Sequence, residues 1–168
     1  MPIASMLLPA FDQELATARR FLERVPDGKP EWRPHAKSMT LGRLATHVSE
    51  LPGWVTNTFE HDELDIAPGG KPPSFWPVLP TTAAILEQFD RNAADARGRL
   101  AAASDADFAK PWSLKFGGQV VWTKSKFEVH RVWAMNHLVH HRAQLGVFLR
   151  LLDVPIPGSY GPSADERP

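Results

Sequence analysis

The chain has 168 residues, 43% of them hydrophobic and 23% charged, a balance that builds one ordinary globular domain over residues 1–168 with a substantial core. Lys and Arg together number 19, as do Asp and Glu, so the net charge is zero and no long basic run offers electrostatic capture of nucleic acid or anionic lipid. Cysteine is absent, which excludes a disulfide framework, a thiolate metal site and a cysteine nucleophile; any metal must be held by nitrogen and oxygen.

The N-terminus, "MPIASMLLPA", lacks a basic start and its apolar run is too short for a secretory signal. No apolar run reaches the ~18 residues of a membrane span, so a cytoplasmic location is expected. Helical periodicity starts near Met6 and continues to Val25, with Leu8, Phe11, Leu15, Ala18 and Leu22 spaced by threes and fours. Pro9 fits that helix if it lies in the first turn, where its missing N–H costs nothing. The segment "VPDGKPEWRP" then ends it.

Thr40 is a candidate N-cap for a second helix carrying Leu41, Leu44, Val48, Leu51, Val55 and Phe59. Pro52 should bend this helix, because its ring clashes with the carbonyl of Val48. The long loop "HDELDIAPGGKPPSFWPVLP" follows; its second half is too apolar to float free, and it is expected to pack as a crossover or lid. Thr81 or Thr82 caps a third helix running to about Ala102, with Ile85, Phe89, Ala93, Ala96 and Leu100 inward. In "WSLKFGGQVVW", between Trp112 and Trp122, Gly117-Gly118 signals a small hairpin. A fourth helix, the longest, spans roughly Ser125 to Leu152, and a Pro/Gly-rich tail ends the chain. The expected fold is all-α: a four-helix bundle with a long crossover and a small β-hairpin inserted before the last helix.

The fourth helix holds the stretch "NHLVHHRAQL", with three of the seven histidines. Its apolar stripe includes Phe127, Ala134, Leu138, Leu145, Phe148 and Leu152, and His137 and His141, four residues apart, fall on that stripe. Two imidazoles on an inward face are costly unless hydrogen-bonded or ligated. They are either a metal-binding pair, hydrogen-bonded core histidines, or residues of a helix turned to water. In the second helix, His47 sits three residues after Leu44 and four before Leu51, again on the buried side. One ion between the two helices would explain all three.

The stretches "RLATHVSELPGW" and "NHLVHHRAQLGVFLRLL" resemble the two signature segments of the DinB family of metal-dependent proteins, which is distinct from the DNA polymerase sharing that name. "LPAFDQELATARRFLERVP", "WRPHAKSMTLG" and "VPIPGSYGPSADE" are similar to the family as well, so the resemblance covers nearly the whole chain. It implies a four-helix bundle with a long crossover and a divalent metal held by one histidine of the second helix and an HxxxH pair of the last. The ligands carried over are His47, His137 and His141. Where the family usually has Gly after the His-Arg pair this chain has Ala143, also small enough for close helix approach.

Among the other histidines, His35, in the loop before the second helix, and His61, at the end of that helix, are expected at the surface. His140 should point away from the shared face. His130 stands two turns before His137, about 10 Å along an α-helical axis, too far to share an ion; it is expected to wall the pocket. Trp54, seven residues beyond His47, is either a pocket wall or a core residue. Glu50 and Gln144, each three residues after a proposed ligand, are candidates for orienting imidazole N–H groups, against the commoner fate of helix Glu and Gln as solvated residues.

Three neutral donors leave a coordination position for water or substrate. Zinc or nickel suits them best, and iron is compatible. Leu138, rather than Glu, follows His137, so the HExxH peptidase arrangement is missing. Some relatives of the family transfer low-molecular-weight thiols to electrophiles. The resemblance therefore implies a metal-dependent thiol transferase or small-molecule hydrolase in detoxification or stress response, with a small-molecule substrate and a low-molecular-weight thiol as a candidate cosubstrate. The alternative is a non-catalytic, stress-associated metal-binding bundle acting through protein contacts. The resemblance also implies a homodimer, which six tryptophans in the sequence would favour by leaving apolar surface to cover.

Overall fold

In the computed structural model, whose described residues are 1–71 and 77–166, helices carry most of the chain and three short strands form one small sheet. Residues 72–76, on which part of the expected lid falls, lie outside the described residues. Helix α1 spans Ile3–Leu22 and begins before the predicted start, so Pro9 lies in its second turn rather than its first. Pro9 and Ser5, whose carbonyl would be its partner, are both exposed, so water can satisfy that carbonyl. Phe11, Leu15, Ala18 and Leu22 are buried as the periodicity predicts.

The Thr40 side chain accepts the Arg43 N–H at 3.2 Å and caps α2, Leu41–Glu50. Helix α3, Gly53–Glu60, follows α2 after an interruption at Leu51 and Pro52, which both keep helical φ and ψ. The interruption of this helical run falls at Pro52, where the sequence predicts a disturbance. Its apolar face, Leu41, Leu44, Val48, Leu51 and Val55, is wholly buried. Thr81 caps α4, Thr82–Ala102, accepting the Ala84 N–H at 3.2 Å. A Ser104–Asp107 capping box opens the short α5, Asp105–Ala109.

The sequence predicts a hairpin and a loop before α4; the sheet has a third strand drawn from that loop. Strand β1, Glu63–Asp65, pairs parallel with β2, Pro111–Phe116, which pairs antiparallel with β3, Gln119–Ser125. Gly117 and Gly118 make the turn with φ of 60° and 79°, values that side-chain-bearing residues rarely adopt. Asp65 ties the two regions together. Its carboxylate accepts the N–H groups of Ala67 at 2.9 Å, Gly117 at 3.0 Å and Gly118 at 2.7 Å.

The last helical run is opened by a Ser125–Glu128 capping box. It comprises α6, Lys126–Glu128, a π-helical segment, Val129–Asn136, and α7, His137–Leu151. Phe127, placed on the buried stripe by its spacing, is instead 40% exposed, because the π-helical turns that follow it rotate α6 away from the register of α7. Helix α4 packs on α1, α2 and α3, while α7 packs on α1 and α2. Phe11, Leu44, Phe89, Leu138 and Leu145 lie in the core between them, and a second cluster around Trp112 joins the sheet to α3 and the π-helical segment. This packing sets α2 beside α7.

Candidate metal centre

Buried apolar neighbours on both helices fix which side chains meet where α2 and α7 touch. His47 lies between Leu44 and Leu51, and His137 and His141 flank Leu138 one turn apart. The three rings converge, with centroids separated by 5.1 Å (His47–His137), 4.5 Å (His47–His141) and 4.7 Å (His137–His141). One ring nitrogen from each lies within 4.8 Å of the others. The set could hold a metal ion.

Its geometry and chemistry both fit that use. The Nε2 atoms of His47 and His137 are 3.4 Å apart. Two imidazole lone pairs at that distance repel unless a proton or a cation lies between them. Two nitrogens bound tetrahedrally at 2.0–2.1 Å stand about 3.3–3.4 Å apart, so the observed spacing suits a shared ion.

The rings are held from behind. His47 Nδ1 lies 3.3 Å from a Glu50 oxygen and 3.3 Å from an Arg43 nitrogen. Arg43 has no acceptor, so a proton on Nδ1 is directed to Glu50. Arg43 in turn clamps both Glu50 oxygens and donates to the Pro77 carbonyl at 2.6 Å. Burial works to raise the Glu50 pKa, but the bonds from His47 and Arg43 outweigh it and hold the carboxyl below its ordinary value, ionised. His141 Nδ1 stands 2.8 Å from Gln144 Oε1, which places the proton on Nδ1 and leaves Nε2 for the shared centre. His137 Nδ1 is enclosed without a completed hydrogen bond. Burial, assisted by neighbouring His47, pushes the His141 pKa down to about 4. The same two causes depress His137, with the Trp133 carbonyl opposing part of the shift. Both rings are therefore neutral near pH 7, the form a metal requires.

Each histidine also meets an opening. His47 faces a cleft of about 440 Å³ walled by Trp54, Leu64 and Ile66. His141 faces one of about 290 Å³ with Lys37 and Gln144, and His137 one of about 230 Å³ with Trp133 and His140.

The structure brings together His47, His137 and His141 as the sequence anticipates, and it gives Glu50 and Gln144 the orienting contacts for which they were candidates. Trp54 is a cleft wall, its ring edge-on to His137 at 6.3 Å between centroids. His140, His35 and His61 are exposed. Arg43 escaped the sequence reading, although it stands four residues before His47 and seven before Glu50, on one helical face. His130 departs from expectation. It is 1% exposed, its ring lies 5.8 Å from that of Phe11, and it lines none of the three clefts at the histidines. The wider turn of the π-helical segment carries it off the meridian of His137 and into the core.

Comparison with known proteins adds a family and a fold. A model of the DinB superfamily matches residues 10–145. The chain is 24% identical over 163 residues to the uncharacterized protein YrdA of Bacillus subtilis strain 168, covering 95% of this chain and 89% of that one. It is similar to the crystal structure of a DinB-like protein from Bacillus cereus ATCC 10987, with a TM-score of 0.71, 20% identity, and coverage of 95% of this chain and 98% of the other. A DinB-like protein of Bacillus subtilis, YjoA, gives a TM-score of 0.69 at 12% identity, covering 92% of this chain and 96% of its own. At these identities the two structures speak to the fold.

Proposed function

Because the chain belongs to the DinB superfamily, we propose that it is a metal-dependent enzyme acting on a small molecule, with His47, His137 and His141 as the ligands of one divalent ion. The observation that carries the reading is the convergence of three imidazoles, two of them with Nδ1 already engaged, at a point reached by open clefts. Zinc or nickel suits the donor set best, and iron is compatible with it. The architecture supports reading the helices as a four-helix bundle with a long crossover, in which α2 with α3, and α6 with α7, each form one member.

Within this reading the chain's own residues hold and orient. Glu50 accepts the Nδ1 proton of His47, and Arg43 keeps Glu50 deprotonated for that purpose. Gln144 does the same for His141 through a neutral carbonyl. With both oxygens engaged and its pKa depressed, Glu50 is an orienting group rather than a general base. Trp54, Leu64 and Ile66 line the cleft beside His47 with apolar surface. A divalent ion held here would lower the pKa of a water or thiol toward neutrality and so supply a nucleophile.

The reaction is accordingly transfer of a low-molecular-weight thiol to an electrophile, or hydrolysis of a small molecule, in detoxification or stress response. A non-catalytic bundle that stores metal and acts through protein contacts would call for a closed site, and the clefts at all three histidines speak against it. The test is elemental analysis of purified protein after dialysis against a weak chelator, followed by a screen of thiols, electrophiles and esters with and without metal. About one ion per chain is expected in the wild type and in His140→Ala, with loss in His47→Ala, His137→Ala and His141→Ala. Equal metal content in all five proteins would end the reading.

A further inference from the structure

The cleft that opens at His47 has a volume of about 440 Å³, within the range of small-molecule sites. Its apolar walls come from three separate places in the chain: Met39 before α2, Trp54 on α3, and Leu64 and Ile66 in and just after β1. Its polar groups are engaged with one another. Arg43 is paired with Glu50, Glu50 faces His47 Nδ1, and Arg43 also donates to the Pro77 carbonyl. The positive and negative charges lie in contact and cancel, so the cleft presents no net charge to an incoming ion. An ionic ligand would lose water against apolar walls and gain no unmatched counter-charge, whereas a neutral apolar one gains by every wall it touches. Trp54 also fixes a direction. Its ring meets His137 edge-on at 6.3 Å, so a molecule lying against it has one end at the histidines.

We propose that this cleft binds an uncharged, largely apolar organic molecule bearing a flat ring, which packs against Trp54 with its reacting end toward His47. The orientation rests on the reading of the three histidines as the reacting centre; the preference for a neutral apolar ligand does not need the ion. The test is calorimetric titration of the full chain, metal-free and zinc-loaded, with 2-naphthalenemethanol and its two charged counterparts, naphthalene-2-carboxylate and 2-naphthylmethylammonium. The neutral probe is expected to bind both forms, and to bind the metal-free form at least about tenfold more tightly than either charged one. Trp54→Ala should weaken it by about tenfold or more, through the loss of aromatic contact area. Met39→Glu, at a side chain already 40% exposed, places a charge in the wall and should do the same if Trp54→Ala fails to fold. No binding by the neutral probe, preference of the metal-free chain for a charged counterpart, or affinity unchanged in a folded variant would overturn the proposal. Zinc chloride titrated alone reports the metal reading separately. A chain that binds zinc but not the neutral probe refutes the cleft assignment alone, and one that binds the probe but not zinc refutes only the metal.

Discussion

His130 carries the clearest proton-linked cost in the core. It is 1% exposed, its Nδ1 has no hydrogen-bond partner, and burial, with a smaller contribution from Arg131, pushes its pKa down to about 4. The folded state therefore holds the ring neutral while the unfolded chain takes up a proton near the ordinary value of about 6.5. Stability from this residue is complete above that value and is lost as pH falls from about 6.5 toward 4. By linkage the loss between pH 7 and pH 5 is about 2 kcal/mol. Denaturant unfolding of the metal-free chain at the two pH values should show at least that loss, since the depressed His141 and His137 add to it, and His130→Phe should reduce the total by about 2 kcal/mol. An unchanged loss in the variant would mean that His130 is solvated in the fold. A second residue-scale device closes the C-terminal tail. Arg142 is 2% exposed and is bonded to Glu14 on α1 and, at 2.8 Å, to the Tyr160 hydroxyl, which itself donates to Glu14 at 2.8 Å. Glu14→Ala leaves the guanidinium buried and unmatched and should cost about 3–5 kcal/mol in chemical denaturation. Tyr160→Phe removes the two hydrogen bonds of the hydroxyl, from Arg142 and to Glu14, but at a residue 67% exposed, where water replaces them, and should cost only about 0.5–1.5 kcal/mol. Comparable losses in the two variants would show that the tail, rather than the ion pair, dominates the clamp.

At the scale of elements, legibility followed periodicity. The Leu41–Val55 and Ile85–Leu100 stripes repeat by threes and fours over several turns, and both are buried as read save for Ala93, which is half-buried against the core. The metal candidates were legible for the same reason, since His47, His137 and His141 interrupt such stripes. What lay outside local pattern was missed. Strand β1 is three residues of mixed polarity, too short for an alternating signal, and exists because β2 stands beside it. The π-helical Val129–Asn136 has no signature in composition, and it moved both Phe127 and His130 from their expected faces. Arg43 was unread because its role depends on Glu50 being held against His47, a tertiary fact. Asp65 shows how the small sheet coheres. Hydrogen bonds from the backbone of Ala67, opposed by some desolvation and joined by those of Gly118 and Gly117, hold its carboxyl below the ordinary range. The anchoring is present at neutral pH and weakens as pH falls through that lowered value. Asp65→Ala should speed amide exchange at Ala67, Gly117 and Gly118 at pH 7 while exchange in α4 stays unchanged. Unaltered exchange at the two glycines would show that the turn closes without the carboxylate.

For the whole molecule, two predictions concern what joins its parts. The chain is expected to be a homodimer, though not for the reason its tryptophans suggested. None of the described tryptophans is exposed, and the uncovered apolar side chains include Val147 and Leu151 on α7, at 58% and 57%, beside a cleft of about 380 Å³. Light scattering should give twice the chain mass, and Leu151→Glu should halve it; a wild-type monomer at high concentration refutes this. The second prediction follows from where the three histidines stand. His47 is on α2 and the HxxxH pair on α7, separated by ninety residues of chain that include α3, the sheet and α4. An ion on all three is a cross-link between two packed helices and binds the folded state alone. At a free metal concentration a thousandfold above Kd it should add about 4 kcal/mol to unfolding stability. For a chain of this length that corresponds to a rise in Tm of roughly 8–16 °C. His47→Ala removes one end of the link and should abolish most of the rise, although the HxxxH pair remains. His140→Ala, on the exposed side of the same helix, should keep it. Hydrogen-bonded core histidines with no ion would give a different pattern, with each inward substitution lowering Tm equally with and without metal. A full metal-induced rise in His47→Ala would place the ion on α7 alone and remove the cross-link from the account.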